Sequence, residues 1–263
     1  MPSDLHRNES DVVEVIGARA VSPALILCEH ASNHIPARYD GLGLDDAARA
    51  SHAAWDPGAR TVAVHLAEAL HAPMVAARVS RLVYDCNRPP EAASAMPERS
   101  EQIEVPGNRG LNEAQRAERV ASVYEPFCAR VTEVIAARKA AGLATALITI
   151  HSFTPVWFGA QRDCEIGILH DNDTRLADAM LAEAHHLPHR VIRRNDPYGP
   201  QDGVTHSLKL HGLAHGLPNV MIEIRNDLLT DARAQAQMAE EILTLLRPAL
   251  AVCVKTAEGS THA

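Results

Sequence analysis

The chain alternates between short, unbroken apolar runs and longer stretches with helical spacing. Ala24–Cys28 (ALILC), Ala146–Ile150 (ALITI) and Val220–Ile224 (VMIEI) are of the first kind and fit strands buried on both faces of a parallel sheet. Glu165–Leu169 reads as a further buried strand, with Val75–Ala77, Leu82–Tyr84 and Arg190–Arg193 as short ones. A helix is predicted over about 57–70, because Ala59, Val62, Ala63, Leu66 and Leu70 share one face. Asp56 stands where a cap is wanted, and Pro57 fits the first turn. A long helix is predicted from Asn112 to about Ala141, with Val120, Val123, Phe127, Val131, Val134 and Ile135 inward, a kink at Pro126 and a stop at Gly142. Further helices are predicted over about 174–185, 204–215 and 232–250. Residues 89–110 carry Pro, Gly and charge without periodicity and read as a long surface loop.

Strands alternating with helices give an α/β fold: a mostly parallel or mixed sheet with helices on both faces. No repeat or linker divides the chain, so a single domain is expected over 1–263. Segments 10–20 and 89–110 would be peripheral, and about 1–10 and 254–263 frayed.

Composition narrows the partners. The net charge is −8 and aromatics make up only 3% of 263 residues, which argues against nucleic acid. The polar start and the lack of a long apolar run argue against a signal peptide or membrane span. Five scattered cysteines without a CxxC pair fit reduced thiols in a cytoplasm. The expected partner is a small-molecule substrate, with a homo-oligomer as an option. Fifteen histidines direct attention to metal or acid–base chemistry.

Ligands in open α/β sheets bind at the carboxyl ends of the strands. Glu29-His30 follow ALILC, His151-Ser152 follow ALITI, and Glu223 sits near the end of VMIEI, before Arg225. Two imidazoles and a carboxylate are what a catalytic zinc uses, with one position left open. Asp56 is the first choice for the acidic ligand and Glu29 the second; Glu29 could instead orient His30. Glu223 would be costly in an apolar strand unless paired, for example with Arg225, or used in chemistry. His34 lies four residues after His30, but HExxH is not reproduced and His34 reads as a loop residue. Around Leu82–Tyr84, Arg81, Asn87 and Arg88 could hold a carboxylate. His206 follows a polar turn, RRNDPYG.

The segments CEHASNHIP, SHAAWDPGA, SRLVYDCNRP, TIHSF, RNDPYG and VMIEIRNDLL, taken together and in order, resemble the N-formylglutamate amidohydrolase family, over about residues 22–247. The resemblance implies a hydrolase-like fold similar to the zinc carboxypeptidases and hydrolysis of N-formyl-L-glutamate to formate and glutamate. It implies one zinc on His30, His151 and either Asp56 or Glu29. Glu223 would be the general base, and Arg225 or a neighbouring Arg would assist as the oxyanion forms. Arg81, Asn87, Arg88 and His206 would bind substrate. Carboxypeptidase-like sites place a Glu three residues after the first His, where this chain has Asn33, so the acidic ligand stays open. The competing readings are a zinc amidase or carboxypeptidase for another N-acyl or peptide substrate, and a metal-free binding protein for an acidic amino acid.

Overall fold

The structure, a computed structural model, describes residues 8–9 and 12–259, with side-chain surroundings for 12–253. Its strands are β1 (Asn8–Glu9), β2 (Val13–Ile16), β3 (Ala24–Cys28), β4 (Met74–Ala77), β5 (Arg99–Ser100), β6 (Ile103–Glu104), β7 (Ala146–Phe153), β8 (Val156–Trp157), β9 (Ala160–Gln161), β10 (Ile166–Leu169), β11 (Ile192–Arg194) and β12 (Asn219–Arg225). Eight of them form one mixed sheet in the order β1-β2-β4-β3-β7-β12-β10-β11. The centre, β4-β3-β7-β12, is parallel; β2 and β10 flank it antiparallel, and β11 runs parallel to β10. β5-β6 and β8-β9 are separate hairpins.

The apolar runs are strands because both faces of the sheet are covered, so every position must be apolar. After the short helix α1 (Asp46–Ala50), Ile26, Ile148, Ile150 and Ile222 on one face pack against α2 (Ala59–Leu70), α5 (Arg175–Ala182) and α6 (Ala232–Gly259). On the other, Leu25, Leu27, Leu147 and Met221 pack against Val123, Phe127, Val131 and Ile135. Those four lie on the predicted long helix, which is three consecutive pieces: α3 (Glu113–Arg119), a π-helical turn at Val120–Tyr124 and α4 (Glu125–Ala140). Asn112 caps its start with a full capping box. The widened turn sits just before Pro126, whose missing N–H leaves the preceding turn without its usual donor.

Several expectations are corrected. Leu82–Tyr84 is not a strand: the Ser80 hydroxyl accepts from the Leu82 N–H, and the Ser80 carbonyl from the Val83 N–H, winding the segment into a turn. The helix expected over 204–215 is present from residue 206 but irregular: it widens to a π turn at Leu208–Gly212 and tightens to a 3-10 turn at Leu213–His215, before Gly216 ends it in the left-handed conformation. Segment 13–16, expected at the periphery, is a buried sheet strand. Segment 89–110 contains the β5-β6 hairpin, and α6 continues to Gly259, past the expected end at 250. The ends expected to fray lie largely outside the described residues. No helix among the described residues is long and apolar enough to cross a membrane.

Candidate active site

β7 runs three residues beyond its apolar core, so His151 lies within the strand and not after it. Register with β12 sets Glu223 directly beside His151, and on its other side Glu223 faces Gly167 of β10. His30 lies two residues past the end of β3, the neighbour of β7. Three adjacent strands therefore deliver His30, His151 and Glu223 to one edge.

Asp56 arrives differently from the expectation. It does not cap α2; Gly58 holds that position in the left-handed conformation at φ 81°. A Cβ there would sit 2.6 Å from the Leu229 Cβ, so both conformation and space require glycine. The turn points the Asp56 carboxylate back at the sheet edge, and its backbone N–H donates to the His30 carbonyl at 3.0 Å.

The result is a compact triangle. Asp56 Oδ2 lies 3.2 Å from His30 Nδ1 and 2.9 Å from His151 Nδ1, and the two Nδ1 atoms are 3.1 Å apart. All three residues are buried. Each imidazole has its other nitrogen against a carboxylate: His30 Nε2 is 2.7 Å from Asp85 Oδ1, and His151 Nε2 is 3.2 Å from Glu29 Oε2. Carboxylates at both Nε2 atoms favour a proton there, which turns both Nδ1 lone pairs toward Asp56 Oδ2. Three electron-rich atoms converging in a buried space call for positive charge between them: a proton on His151 when no metal is bound, or a metal ion in its place. Tetrahedral zinc with bonds of about 2.0–2.1 Å would set its ligands about 3.4 Å apart, a few tenths more than the edges seen here. The donor set fits a divalent metal ion, and the buried His30–Asp56–His151 cluster is one that could hold it.

The surroundings hold Asp56 and Asp85 ionised. Arg81 donates to Asp85 Oδ2 at 2.7 Å and to Asp56 Oδ1 at 3.3 Å, and the Ser152 N–H reaches Asp56 Oδ2 at 3.2 Å. Burial pushes both acids up, but for Asp56 the two imidazoles, and for Asp85 mainly Arg81, outweigh it and hold them below the usual range. His151 goes the other way: burial disfavours its charge, yet Glu29 and Asp56 raise it well above an ordinary histidine.

Glu223 differs from Asp56 and Asp85. It is 5% exposed, its Oε2 has no hydrogen-bond partner, and burial pushes its carboxyl up to about 7. A carboxyl poised near neutrality beside a metal-competent triad suits a proton acceptor and donor. It lines a cavity of about 190 Å³ together with His30, Asp56, Arg81, Arg88 and His151. That volume suits a small metabolite and lies below the range of drug-sized pockets.

Other expected residues are placed elsewhere. Arg225 does not line the cavity: β10 begins beside it, and its guanidinium is taken up by the Arg162 carbonyl, Asp227 and Glu165. It neither pairs with Glu223 nor reaches the triad, so the catalytic role expected for it is corrected. His206 also lies off the cavity, 2.8 Å from the Tyr124 hydroxyl, because its turn points it toward the helix behind. Asn87 lines the cavity, but its amide chiefly ties two loops together, donating to the Val204 carbonyl and accepting from the Ser207 N–H. Glu29 is not in the triangle; it sits behind His151, not His30. Asn33, at the carboxypeptidase-like acidic position, is turned away and donates to the Arg49 carbonyl.

Sequence reasoning missed Asp85 and Tyr198. Asp85 lay within the quoted SRLVYDCNRP segment, four residues after Arg81, and that spacing was the available signal. Tyr198 belongs to RNDPYG, which by composition is only a turn. It lines the cavity because β10 carries Gly167 opposite Glu223: a Cβ there would lie 2.2 Å from the Asp196 carbonyl oxygen. Without that side chain the turn lies against the sheet, and burial together with nearby Glu223 raises the Tyr198 phenol.

Known proteins agree with this architecture. A crystallised gene product of Agrobacterium tumefaciens shares 55% identity and a TM-score of 0.90, over 92% of this chain and 96% of its own. An N-formylglutamate amidohydrolase from Ralstonia eutropha JMP134 shares the fold at 18% identity and a TM-score of 0.57, over 94% of this chain and all of its own. No functionally curated protein matches the chain. Residues 22–230 match the sequence profile of the N-formylglutamate amidohydrolases, and the chain belongs to that family of amide hydrolases.

Proposed function

We propose that this protein hydrolyses the N-formyl amide of N-formyl-L-glutamate or a related N-acyl amino acid, releasing formate and the free amino acid, with one divalent ion, zinc, held by His30, Asp56 and His151. The observation that carries this reading is the convergence of the two Nδ1 atoms and Asp56 Oδ2 within about 3 Å, each imidazole backed by its own carboxylate, with protonatable Glu223 on the adjacent strand.

When bound, the ion supplies Lewis acidity to a water and to the amide carbonyl. The protein's own residues do the rest. Glu223, ionised above about pH 7, takes the proton of the attacking water and returns it to the departing amine nitrogen. Arg81 and the Ser152 N–H keep Asp56 ionised and oriented, Asp85 hydrogen-bonds the His30 ring, and Glu29 places its charge beside the His151 ring. Arg88 lines the cavity and offers its guanidinium to a substrate carboxylate.

The test is formate release from N-formyl amino acids by purified protein, before and after chelation and after zinc is returned. Release lost on chelation and restored by zinc is expected. Release that ignores chelation removes the metal, and binding of glutamate without any release supports a sensor.

A further inference from the structure

The cations around the cavity are unequally committed. Arg81 is ion-paired to both Asp56 and Asp85. His52, at the rim, lies 3.1 Å from Glu101. His30 and His151 are held among Asp56, Asp85 and Glu29. Arg88 differs: its Nη1 donates to a neutral acceptor, the Asn87 carbonyl, at 2.8 Å, and although its charge helps to lower Asp85 it makes no ion pair among the described residues. Around the same space stand four acids, Glu29, Asp56, Asp85 and Glu223, against two guanidiniums, Arg81 and Arg88. A divalent ion in the triad brings this tally to about zero, with Arg88 the guanidinium not already ion-paired. Arg88 can take one substrate carboxylate; a second would be buried among acids with no unpaired cation of its own.

Beside the polar His52, Asn87, Ser100, Ser152 and Thr154, the wall has an apolar, aromatic part. The chain has three Phe, two Trp and four Tyr, and three of these nine, Phe153, Trp157 and Tyr198, line this one cavity with Ala53 and Val204. Arg162 stacks over all three rings, 5.5, 5.1 and 4.8 Å from their centroids, and Phe153 meets Tyr198 edge-on at 6.5 Å. A guanidinium shared by three rings holds that wall in place before any substrate arrives. Arg162 does not line the cavity, and its Nη1 donates to the Thr154 carbonyl.

We infer that the substrate carries a single carboxylate and an uncharged, apolar or aromatic side chain, with Arg88 holding the carboxylate and Phe153, Trp157 and Tyr198 receiving the side chain. The inference rests on the amide-hydrolase reading of the same site and departs from a dicarboxylate such as N-formylglutamate.

The zinc-loaded Glu223→Gln variant, slowed by about 10²–10⁴ in turnover, is titrated calorimetrically with N-formyl-L-phenylalanine, N-formyl-L-leucine and N-formyl-L-glutamate. The first two should bind about tenfold or more tighter than the third, as an unpaired buried carboxylate demands. Adding Trp157→Ala should narrow that gap. Adding Arg88→Gln should weaken all three by about tenfold to a hundredfold, with Arg88→Lys restoring part of the loss. Tighter binding of N-formylglutamate, or insensitivity of all three ligands to Arg88→Gln and Arg88→Lys alike, overturns the inference. Wild-type turnover separates the two claims. Binding in the expected order with no hydrolysis of any of the three overturns the hydrolase reading, whereas fastest hydrolysis of N-formylglutamate overturns the specificity and leaves the hydrolase standing.

Discussion

Replacing Glu223 by Gln should slow the enzyme and stabilise the fold at the same time. Glu223 is 5% exposed, its Oε2 is unpartnered, and burial raises its carboxyl from an ordinary 4.5 to about 7. Between those pH values the folded chain keeps a proton that the unfolded chain has already lost. Stability therefore falls as pH rises through this window and stays reduced above it. The full effect corresponds to about 3 kcal/mol. Glutamine has nearly the same shape and does not titrate, so the variant escapes the loss. In metal-free protein, the stability difference between variant and wild type should move in the variant's favour by about 2–3 kcal/mol from pH 5 to pH 8. At about 2–4 °C per kcal/mol for a chain of this size, that is roughly 4–12 °C in Tm. Urea unfolding at both pH values measures it, and taking the difference between two pH values cancels any fixed cost of the new amide group. Turnover of the zinc-loaded variant should fall by about 10²–10⁴ with zinc still bound. A stability difference that does not change with pH would refute the buried, proton-holding carboxyl, and near-normal turnover would remove Glu223 as the base.

Three further outcomes follow from the same geometry. Asp85→Asn removes the carboxylate that holds His30 Nε2 and Arg81, so zinc affinity in a chelator competition should drop by about 10–100-fold; unchanged affinity would mean that His30 is oriented by other contacts. Zinc uptake should release about one proton near pH 7, because the metal-free His151 holds its proton well above the usual range. Calorimetry in buffers of differing ionisation enthalpy reads that release, and binding heats independent of buffer would contradict it. Gly167→Ala sets a methyl 2.2 Å from the Asp196 carbonyl oxygen, which should cost about 1–3 kcal/mol and displace Tyr198, seen as lowered Tm together with raised KM; an unaltered Tm would show that the 195–199 turn is not held against β10.

The sequence carried the fold where local pattern and tertiary demand coincide. ALILC, ALITI and VMIEI are buried on both faces, so apolar continuity marked them, and their chain order already placed His30, His151 and Glu223 at strand ends. What escaped was set by contacts between distant segments. Leu82–Tyr84 has strand composition but is wound into a turn by Ser80, whose hydroxyl also donates to the Ala54 carbonyl, 26 residues away. Asp56 resembled a helix cap until Gly58, pressed against Leu229, moved the helix start on. Arg225 looked well placed two residues after Glu223, yet the antiparallel strand beside it supplies nearer partners. Asp85 and Tyr198 enter the site through loops whose positions depend on a close approach that no periodicity reports.

The proposed function stands on His30, Asp56 and His151 holding one catalytic metal ion. Zinc K-edge X-ray absorption on stoichiometrically loaded protein, with metal content determined in parallel, tests it most directly. One zinc per chain is expected, with two imidazole nitrogens and one carboxylate oxygen in its coordination shell, and less than about a tenth of that occupancy in His151→Ala. Full occupancy in His151→Ala, or a shell containing a thiolate or a single imidazole, would contradict it.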